Sequence, residues 1–260
     1  MENSMDVLYG NLPLWAFALA CAVTVFAGFV KGAVGFAMPL IMISGFSSFM
    51  PPETALAALI LSVLSTNLHQ SLRFGLRPAW QSALKYWRVI ATTCVGIVIS
   101  APFVVVLPQQ WLFALLGVPV MGFALMQLSG WRPVIAPRHR NPAEYGLGMI
   151  GGLYGGISGI WGPPVIVYLL AVGTEKTEMV RVLGVVFMIG ALVLTVAHLG
   201  SGVLNAVTLP LSAVLAVPAA LGMWLGFRLQ DRLDAERFRR WTLIVLMLVA
   251  LNLLRRAVTG

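Results

Sequence analysis

Charged side chains are scarce in this chain. Of its 260 residues only 10% are Asp, Glu, Lys or Arg, 59% are hydrophobic, and the mean hydropathy is +0.91. Soluble domains carry charge on about a quarter of their residues, so the composition excludes an ordinary soluble domain. Apolar stretches long enough to span a bilayer recur, as in 84–107 and 203–227. They are continuous rather than alternating, which disfavours a β-barrel. The sequence therefore predicts an all-α polytopic membrane protein.

Carboxylates are missing from the middle of every apolar segment. Intramembrane Asp and Glu are the usual proton relays and cation sites, so a carboxylate-coupled proton pump and a divalent-cation transporter are disfavoured. The absence of a His-Glu-x-x-His pattern likewise disfavours an intramembrane metalloprotease. The two cysteines, Cys21 and Cys94, suit neither a disulfide framework nor a metal motif. We expect no metal, no cofactor and no catalytic residues. The acidic residues are Glu2, Asp6, Glu53, Glu144, Glu175, Glu178, Asp231, Asp234 and Glu236.

The net charge of +8 arises from basic residues that fall mostly in short loops and at helix ends. This is the distribution that the positive-inside rule produces in membrane proteins, and it does not indicate a nucleic-acid surface. The expected partners are the lipid bilayer and a small solute, with no nucleic acid. A homodimer is compatible with the sequence.

Two segments look like copies of each other. Residues 28–39 and 152–163 both interrupt a hydrophobic stretch with glycine and proline. Such residues weaken a helix, and backbone freed at membrane depth needs partners in protein or a water-lined cavity. Interrupted segments at matching places of two halves are a sequence sign of a transporter binding site. At an offset of 124 residues the matching pairs are Gly28/Gly152, Gly32/Gly156, Gly35/Gly159 and Pro39/Pro163.

The second copy contains Gly-Pro-Pro at 162–164, a pattern typical of a helix that starts again. A helix that restarts within the membrane directs free N–H groups and its positive dipole end into the protein, where an anion can bind. The alternative is close helix packing, because the glycines of this segment also recur at i, i+4. Both interpretations stay open at this point.

The order of elements predicts two halves. Residues 14–129 form the first membrane repeat, 130–143 a cytoplasmic linker and 144–256 the second repeat. Each repeat consists of a broken helix pair and three spanning helices, about 8–10 helices in all. The first broken pair covers 14–49 and meets near Lys31-Gly32, and the second covers 144–172. The predicted spans are 54–72, 88–107, 110–129, 180–199, 206–227 and 239–255.

Basic and neutral connections alternate along this arrangement, which predicts that the N-terminus lies outside and the linker inside. Half one then starts outside and half two inside, so the halves are predicted to be inverted repeats. Arg255-Arg256, near the C-terminus, is the exception, because the arrangement places it outside.

The ordered motifs of the two halves resemble the TauE/SafE sulfite exporter family, also called TSUP. The resemblance covers nearly the whole chain. It implies a multi-pass permease of the bacterial inner membrane that handles sulfite, sulfonates and related organosulfur anions. The motifs are Lys31-Gly32-x-x-Gly35-Phe36 with Pro39; Pro51, Pro52 and Ala55; Asn67, Arg73 and Gly75; Gly155-Gly156-x-x-Gly159-x-x-Gly162-Pro163-Pro164; Arg181; and Gly222-x-x-x-Gly226.

Lys31 is the only Lys or Arg within the first broken segment. A buried ammonium is costly and by default functional, whereas the alternative is a side chain that snorkels to the cytoplasmic surface. Asn67 is the best candidate for ligand contact in the polar cluster 65–70, and Arg181 either binds an oxyanion or anchors a helix end. The predicted substrate-binding residues are Lys31, Gly32, Gly35, Phe36, Asn67, Gly156, Ser158, Gly159, Gly162, Pro163 and Arg181.

These features predict a transporter of small anions, an exporter or facilitator that works by alternating access, and not an enzyme. The anionic preference follows from the cationic first break and the missing carboxylates, and the organosulfur class follows from the resemblance. A passive anion channel is the alternative. A membrane-embedded enzyme acting on an anionic substrate is a more distant one, because it would need a base or nucleophile pair.

Overall fold

The computed structural model describes residues 12–130, 134–229 and 235–259. Within these ranges the chain forms α-helices and two short 3-10 segments, Ala101–Val105 and Pro137–His139, and no β-strand. The predicted all-α fold is confirmed. The described α-helices are α1 (Leu14–Val34), α2 (Met38–Phe46), α3 (Pro52–Leu72), α4 (Leu76–Lys85), α5 (Trp87–Ser100), α6 (Gln109–Leu128), α7 (Arg140–Ser158), α8 (Gly162–Ala171), α9 (Lys176–Gly200), α10 (Thr208–Leu229) and α11 (Ala235–Thr259).

Seven segments of the described chain are long and apolar enough to cross a membrane. They are α1, α3, α5 with the 3-10 turn after it, α6, α9, α10 and α11. The chain is therefore a multi-pass membrane protein. The most buried of the seven is α3, and the short helices α2 and α8 are largely buried as well. The core thus lies around α3 and the two short helices.

Helix α4 lies between the predicted spans 54–72 and 88–107, where the sequence predicts no helix. Its apolar side chains Leu76, Trp80 and Leu84 recur every four residues and are exposed, whereas Ser82 is buried. A helix with an outward apolar face and a polar inner face is suited to lie along the membrane surface. Because its ten residues are too short to span a bilayer, the long apolar stretches that predict spans do not reveal it.

The first break lies later in the chain than the sequence predicted. Instead of ending near Lys31-Gly32, α1 continues to Val34 and spans 21 residues. The turn is made by Gly35, with φ +86°, whose N–H donates to the carbonyl of Lys31 over 2.7 Å, and by Ala37, with φ +76°. Positive φ costs a non-glycine residue about 1–2 kcal/mol, so the surrounding structure must hold Ala37 in place. The predicted pair of two short helices is thus wrong for its first member.

The second break repeats this geometry. Helix α7 ends at Ser158, and Gly159 follows with φ +72° and a 2.7 Å hydrogen bond from its N–H to the carbonyl of Gly155. Helix α8 then starts at Gly162 with Pro163 in its first turn, as α2 starts at Met38 with Pro39. Because α7 begins at Arg140, it includes the end of the predicted linker; Arg132 lies outside the described residues.

Helices of the two halves are interlocked. Helix α1 of the first half packs along α10 of the second, and α5 of the first half packs along α7 of the second. Glycines make these contacts close: a Cβ on Gly32 would lie 2.9 Å from the Cα of Gly226, and a Cβ on Gly96 would lie 2.8 Å from the Cα of Gly152. Small residues that let backbones approach are typical of membrane helix pairs. Helices α3 and α9 pack together, as do α6 and α11.

Candidate functional site

A small cavity lies between the two breaks. Its volume is about 30 Å³, which is room for about two water molecules. Asn67 and Trp161 supply the polar side-chain groups of its wall, and the remaining lining is apolar or backbone. The lining residues are Phe36, Ala37, Pro39 and Leu40 from the first break, Gly159, Ile160, Trp161, Gly162, Pro163 and Ile166 from the second, Val63 and Asn67 from α3, and Phe187 from α9.

Lys31 is buried beside this cavity, with 2% of the residue exposed. Its Nζ donates a hydrogen bond to Oγ1 of Thr66 over 2.9 Å and another to Oδ1 of Asn67. Asn67 in turn donates from Nδ2 to the carbonyl of Phe187 over 3.0 Å, so its amide connects α1, α3 and α9. This burial does not fit the alternative in which Lys31 snorkels to the surface.

The charge of Lys31 has no counter-charge in the described structure. Its hydrogen-bond partners are a hydroxyl and an amide oxygen, and the ion pairs found among the described residues do not include it. Removing an ammonium from water costs several kcal/mol unless an opposite charge compensates. An ammonium at Lys31 is therefore a buried positive charge that the described residues do not neutralise.

The two breaks differ in the backbone donors that they offer. A helix leaves its first N–H groups without intrahelical partners. In α2 these positions hold Ala37, Met38 and Leu40, with one proline between them, whereas in α8 both Pro163 and Pro164 lack an N–H. The first break thus combines more free N–H groups with the buried ammonium, and the site is asymmetric.

Trp161 provides a further donor at the second break. The residue is 2% exposed, and its indole N–H has no hydrogen-bond partner in the described structure. A buried unsatisfied donor is unfavourable, and Trp161 lines the cavity. The sequence alone does not single out Trp161, because nothing in a single chain distinguishes a tryptophan that lines a cavity from one packed in the core.

The predicted glycines divide into two groups. Gly35 and Gly159 form the turns, and Gly162 starts α8 next to the ring of Phe187. Gly32 and Gly156 lie inside helices against other backbones. Close helix packing therefore explains Gly32 and Gly156, and the break in the helix explains Gly35 and Gly159.

The other predicted residues occupy different surroundings. Phe36 and Pro163 line the cavity. Ser158 is buried and its hydroxyl is already used, because it donates to the carbonyl of Tyr154 over 2.7 Å and accepts the N–H of Ile160 over 3.1 Å. Arg181 does not line the cavity.

The guanidinium of Arg181 donates from Nε to Oγ of Ser82 on α4 over 3.0 Å. This contact joins the start of α9 to the surface helix α4. Of the two interpretations of Arg181, the structure favours the anchor of a helix end.

Two side chains that the sequence did not assign to the breaks donate hydrogen bonds to backbone carbonyls there. Gln70 donates from Nε2 to the carbonyl of Gly35 over 3.0 Å, and His198 donates from Nε2 to the carbonyl of Gly156 over 2.8 Å. Carbonyls at a helix end lack intrahelical donors, so these side chains satisfy them. In the sequence, the only sign of this role is that each of the two is a polar residue near the end of the span that follows a broken pair.

A buried carboxylate ties α7 to its neighbours. Glu144 is 2% exposed, and it accepts the hydroxyl of Tyr168 over 2.5 Å and the guanidinium groups of Arg88 and Arg140 over 3.3 Å each. Helices α5, α7 and α8 meet at this cluster, away from the cavity lining. The sequence placed Glu144 correctly outside the middle of a span but did not predict its burial.

In the part of the chain that the structure describes, seven segments are long and apolar enough to cross a membrane and two broken helix pairs face one cavity, an arrangement typical of polytopic membrane transporters. The chain belongs to the sulfite exporter TauE/SafE family, whose family model matches residues 20–253. This family comprises membrane transporters of sulfur-containing anions, so the resemblance inferred from the motifs is confirmed. Comparison with curated proteins and with solved structures gives no match for this chain.

Proposed function

We propose that the protein carries small organosulfur anions, such as sulfite and sulfonates, across the bacterial inner membrane through the cavity between the two breaks. The observation that carries this proposal is the buried ammonium of Lys31, which touches Asn67 in the cavity wall and has only neutral hydrogen-bond partners. An oxyanion in the cavity supplies the missing counter-charge. It also finds free N–H groups at the start of α2.

Alternating access accounts for the size of the cavity. A volume near 30 Å³ holds about two water molecules, less than a sulfonate needs, so the cavity has to widen when the anion enters. A passive channel needs a continuous water-filled path, and the apolar rings of Phe36 and Phe187 at this level oppose one. A carrier that opens to one side at a time fits these walls.

The moving parts in this proposal are not the two halves themselves. The pairs α1/α10 and α5/α7 are in backbone contact through glycines and each joins the two halves. Sliding along these contacts would bring larger side chains against the facing backbone, so the paired helices are expected to move together as rigid bodies. We therefore assign the motion to units that combine helices of both halves, around the broken pairs. The first helix of each half thus packs against a helix of the other half, and this matching pattern supports the inverted repeat.

The proposed orientation keeps the N-terminus outside. The Glu144 cluster, with Arg88 and Arg140, then lies on the cytoplasmic side, as the positive-inside rule requires. Arg256, near the C-terminus, stacks on Phe113 with its Cζ 4.2 Å from the ring centroid. This aromatic contact gives a positive charge outside the membrane a local partner.

The test is uptake into proteoliposomes that contain the purified protein. The screen covers sulfite, taurine, sulfoacetate, sulfolactate, thiosulfate and simple carboxylates. Lys31→Ala and Asn67→Ala are compared with Lys85→Ala, because Lys85 belongs to a half-exposed surface pair. Saturable uptake and counterflow of a sulfur anion, lost in the first two variants and kept in the third, are expected.

Three outcomes contradict parts of this proposal. Uptake that neither saturates nor shows counterflow indicates a channel. Chemical turnover of the added anion indicates an enzyme. Folded Lys31→Ala and Asn67→Ala proteins that transport like the unmodified chain show that the site lies elsewhere.

A further inference from the structure

Lys31 lies between two separate spaces. On one side Asn67, which accepts a hydrogen bond from Nζ, lines the cavity between the breaks. On the other side Thr66, the second acceptor, lines a groove of about 440 Å³ between α3 and α10. The groove wall on α3 consists of Ser65, Thr66 and His69. A single amine thus hydrogen-bonds to one residue that lines the space proposed for the anion and to another that lines the groove, whose α3 side is polar.

No carboxylate neutralises this amine in the described structure. On α3 the nearby titratable and charged groups are His69 and Arg73, both of which pack on Phe227: the His69 ring lies 5.8 Å from the Phe227 ring, and the Arg73 guanidinium 4.4 Å from it. On α10 the charged group is Arg228, whose guanidinium carbon lies 4.0 Å from the ring centroid of Trp224. Helix α2 carries no titratable side chain.

Within α1 itself the other titratable group is Cys21, which is ten residues from Lys31, or about 15 Å along the helix. The described carboxylates are far along the chain or already bound. Glu53, Glu175 and Glu236 lie at the starts of α3, α9 and α11, and Glu144 and Glu178 pair with basic side chains. The groups that face Lys31 are therefore neutral or positive.

Both protonation states of Lys31 have hydrogen-bond partners here. The ammonium donates to Oγ1 of Thr66 and Oδ1 of Asn67. The neutral amine still donates to Asn67, and its lone pair accepts the Thr66 hydroxyl if that hydroxyl turns from the carbonyl of Ser62, to which it now donates over 2.7 Å. The charged form needs an anion nearby and the neutral form does not.

We infer that Lys31 is the proton-binding site of this transporter and that one proton travels with each anion. This inference rests on the proposed function. When an anion occupies the cavity, the amine takes a proton that reaches it from the groove through Thr66, and –NH₂ becomes –NH₃⁺. When the anion leaves, the ammonium returns the proton to water and the empty carrier moves back uncharged at this position. No other bond is made or broken.

The experiment measures protons and anions together. Proteoliposomes with a pH-sensitive dye inside receive thiosulfate, methanesulfonate or sulfite. The first two are anions of strong acids, so a proton that enters with them is carried by the protein. For sulfite, protein-free liposomes correct for leakage of the neutral acid. Inward acidification that follows each transported anion, and accumulation driven by an acidic exterior, are expected.

Lys31→Arg separates proton transfer from anion binding. Arginine keeps its positive charge under all ordinary conditions, so whatever anion exchange this variant retains at equal pH on both sides takes place without release of a proton. The variant is expected to lose accumulation driven by a pH gradient, down to the level of protein-free liposomes. Lys31→Gln, which lacks the charge, is expected to lose both exchange and accumulation.

The outcomes distinguish the two proposals. If at least one anion moves but no proton accompanies it, or if Lys31→Arg accumulates the anion as the unmodified protein does, the proton inference is overturned and the transport proposal stands. If neither these three nor any other sulfur anion of the uptake screen moves, the transport proposal itself is overturned. The proton count uses the unmodified protein, so a variant that does not fold leaves the inference testable.

Discussion

The side-chain amide of Gln70 donates a hydrogen bond to the backbone carbonyl of Gly35 over 3.0 Å. The contact fixes the end of α1 to the last turn of α3. His198 does the same at the other break, where it binds the carbonyl of Gly156. Each turn is thus held by a side chain from the span that follows its own broken pair.

Replacing Gln70 by Met should weaken the first break. The variant keeps the length of the side chain but removes the donor, so the carbonyl of Gly35 becomes a buried acceptor without a partner, at a cost of about 1–3 kcal/mol. Thermal unfolding in detergent measures the loss. Gln70→Glu should cost at least as much, because a carboxylate cannot donate; equal stability of all three proteins would contradict the contact.

Gly152→Ala should destabilise the contact between α5 and α7. The new Cβ would overlap the carbonyl oxygen of Thr93 and approach the Cα of Gly96, and overpacking of this kind costs about 1–3 kcal/mol. Gly146→Ala, in the same helix, is the matched control, since a Cβ there meets nothing within 4 Å. Its expected effect is neutral or stabilising by up to about 1 kcal/mol. The free energy of unfolding of both variants, measured by denaturation, tests this prediction. Equal changes in the two variants would contradict the close contact at Gly152.

Gly35→Ala should strain the turn without any clash. Its Cβ would have no neighbour within 4 Å, but the backbone has φ +86°, and this conformation costs an L-residue about 1–2 kcal/mol. Gly35→Asn should cost less, because Asn tolerates the left-handed region better. The midpoint of thermal unfolding should fall in the order glycine, asparagine, alanine; the reverse order of the two variants contradicts the strain.

Asn67→Asp should impair transport more than folding. An aspartate at this position gives Lys31 a permanent counter-charge, and an anion in the cavity then meets a neutral pair instead of an ammonium. We expect a higher KM for the transported anion, with the variant still folded. Uptake kinetics measure this; a KM equal to that of the unmodified protein would show that the charge of Lys31 does not attract the substrate.

Glu144→Gln should destabilise the protein more than Lys85→Gln. Hydrogen bonds to a charged group are worth about 1.5–3 kcal/mol, and Glu144 accepts three of them while buried. The pair of Lys85 and Glu178 is half exposed, and such a pair is worth about 0–1 kcal/mol. Unfolding of both variants checks the order.

The same surface pair has a defined pH dependence. The hydrogen bond to Glu178 raises the pKa of Lys85. A raised pKa of a lysine stabilises the fold below the pKa of the unfolded chain, and this contribution disappears as the pH rises through the pKa of the folded state. The small effect of Lys85→Gln should therefore be constant near neutral pH and vanish only in strongly alkaline solution.

Much of the fold follows from local patterns. The continuous apolar stretches predicted the spans, and the duplicated motif located both breaks within a few residues. The position of the first break was wrong because Gly32 looked like a helix breaker. It lies inside α1 because it packs against Gly226, a partner far away in the chain. A single sequence does not show which distant backbone a glycine meets.

The sequence singled out Lys31 and Asn67 as candidates but did not predict the geometry that joins them. The isolated Lys31 and the missing carboxylates indicated an anion, and Asn67 is the residue that joins Lys31 to the cavity. The side-chain donors that complete the turns come from α3 and α9. Their roles depend on tertiary packing, which hydropathy and spacing do not encode.

The exchange of helices between the halves has a consequence for assembly. If the chain were cut between α6 and α7, each fragment would expose the glycine stripe that its missing partner covers. The fragments would then depend on each other as the subunits of an obligate dimer do. A single polypeptide keeps these two subunits at equal number and in the same bilayer from the moment of synthesis.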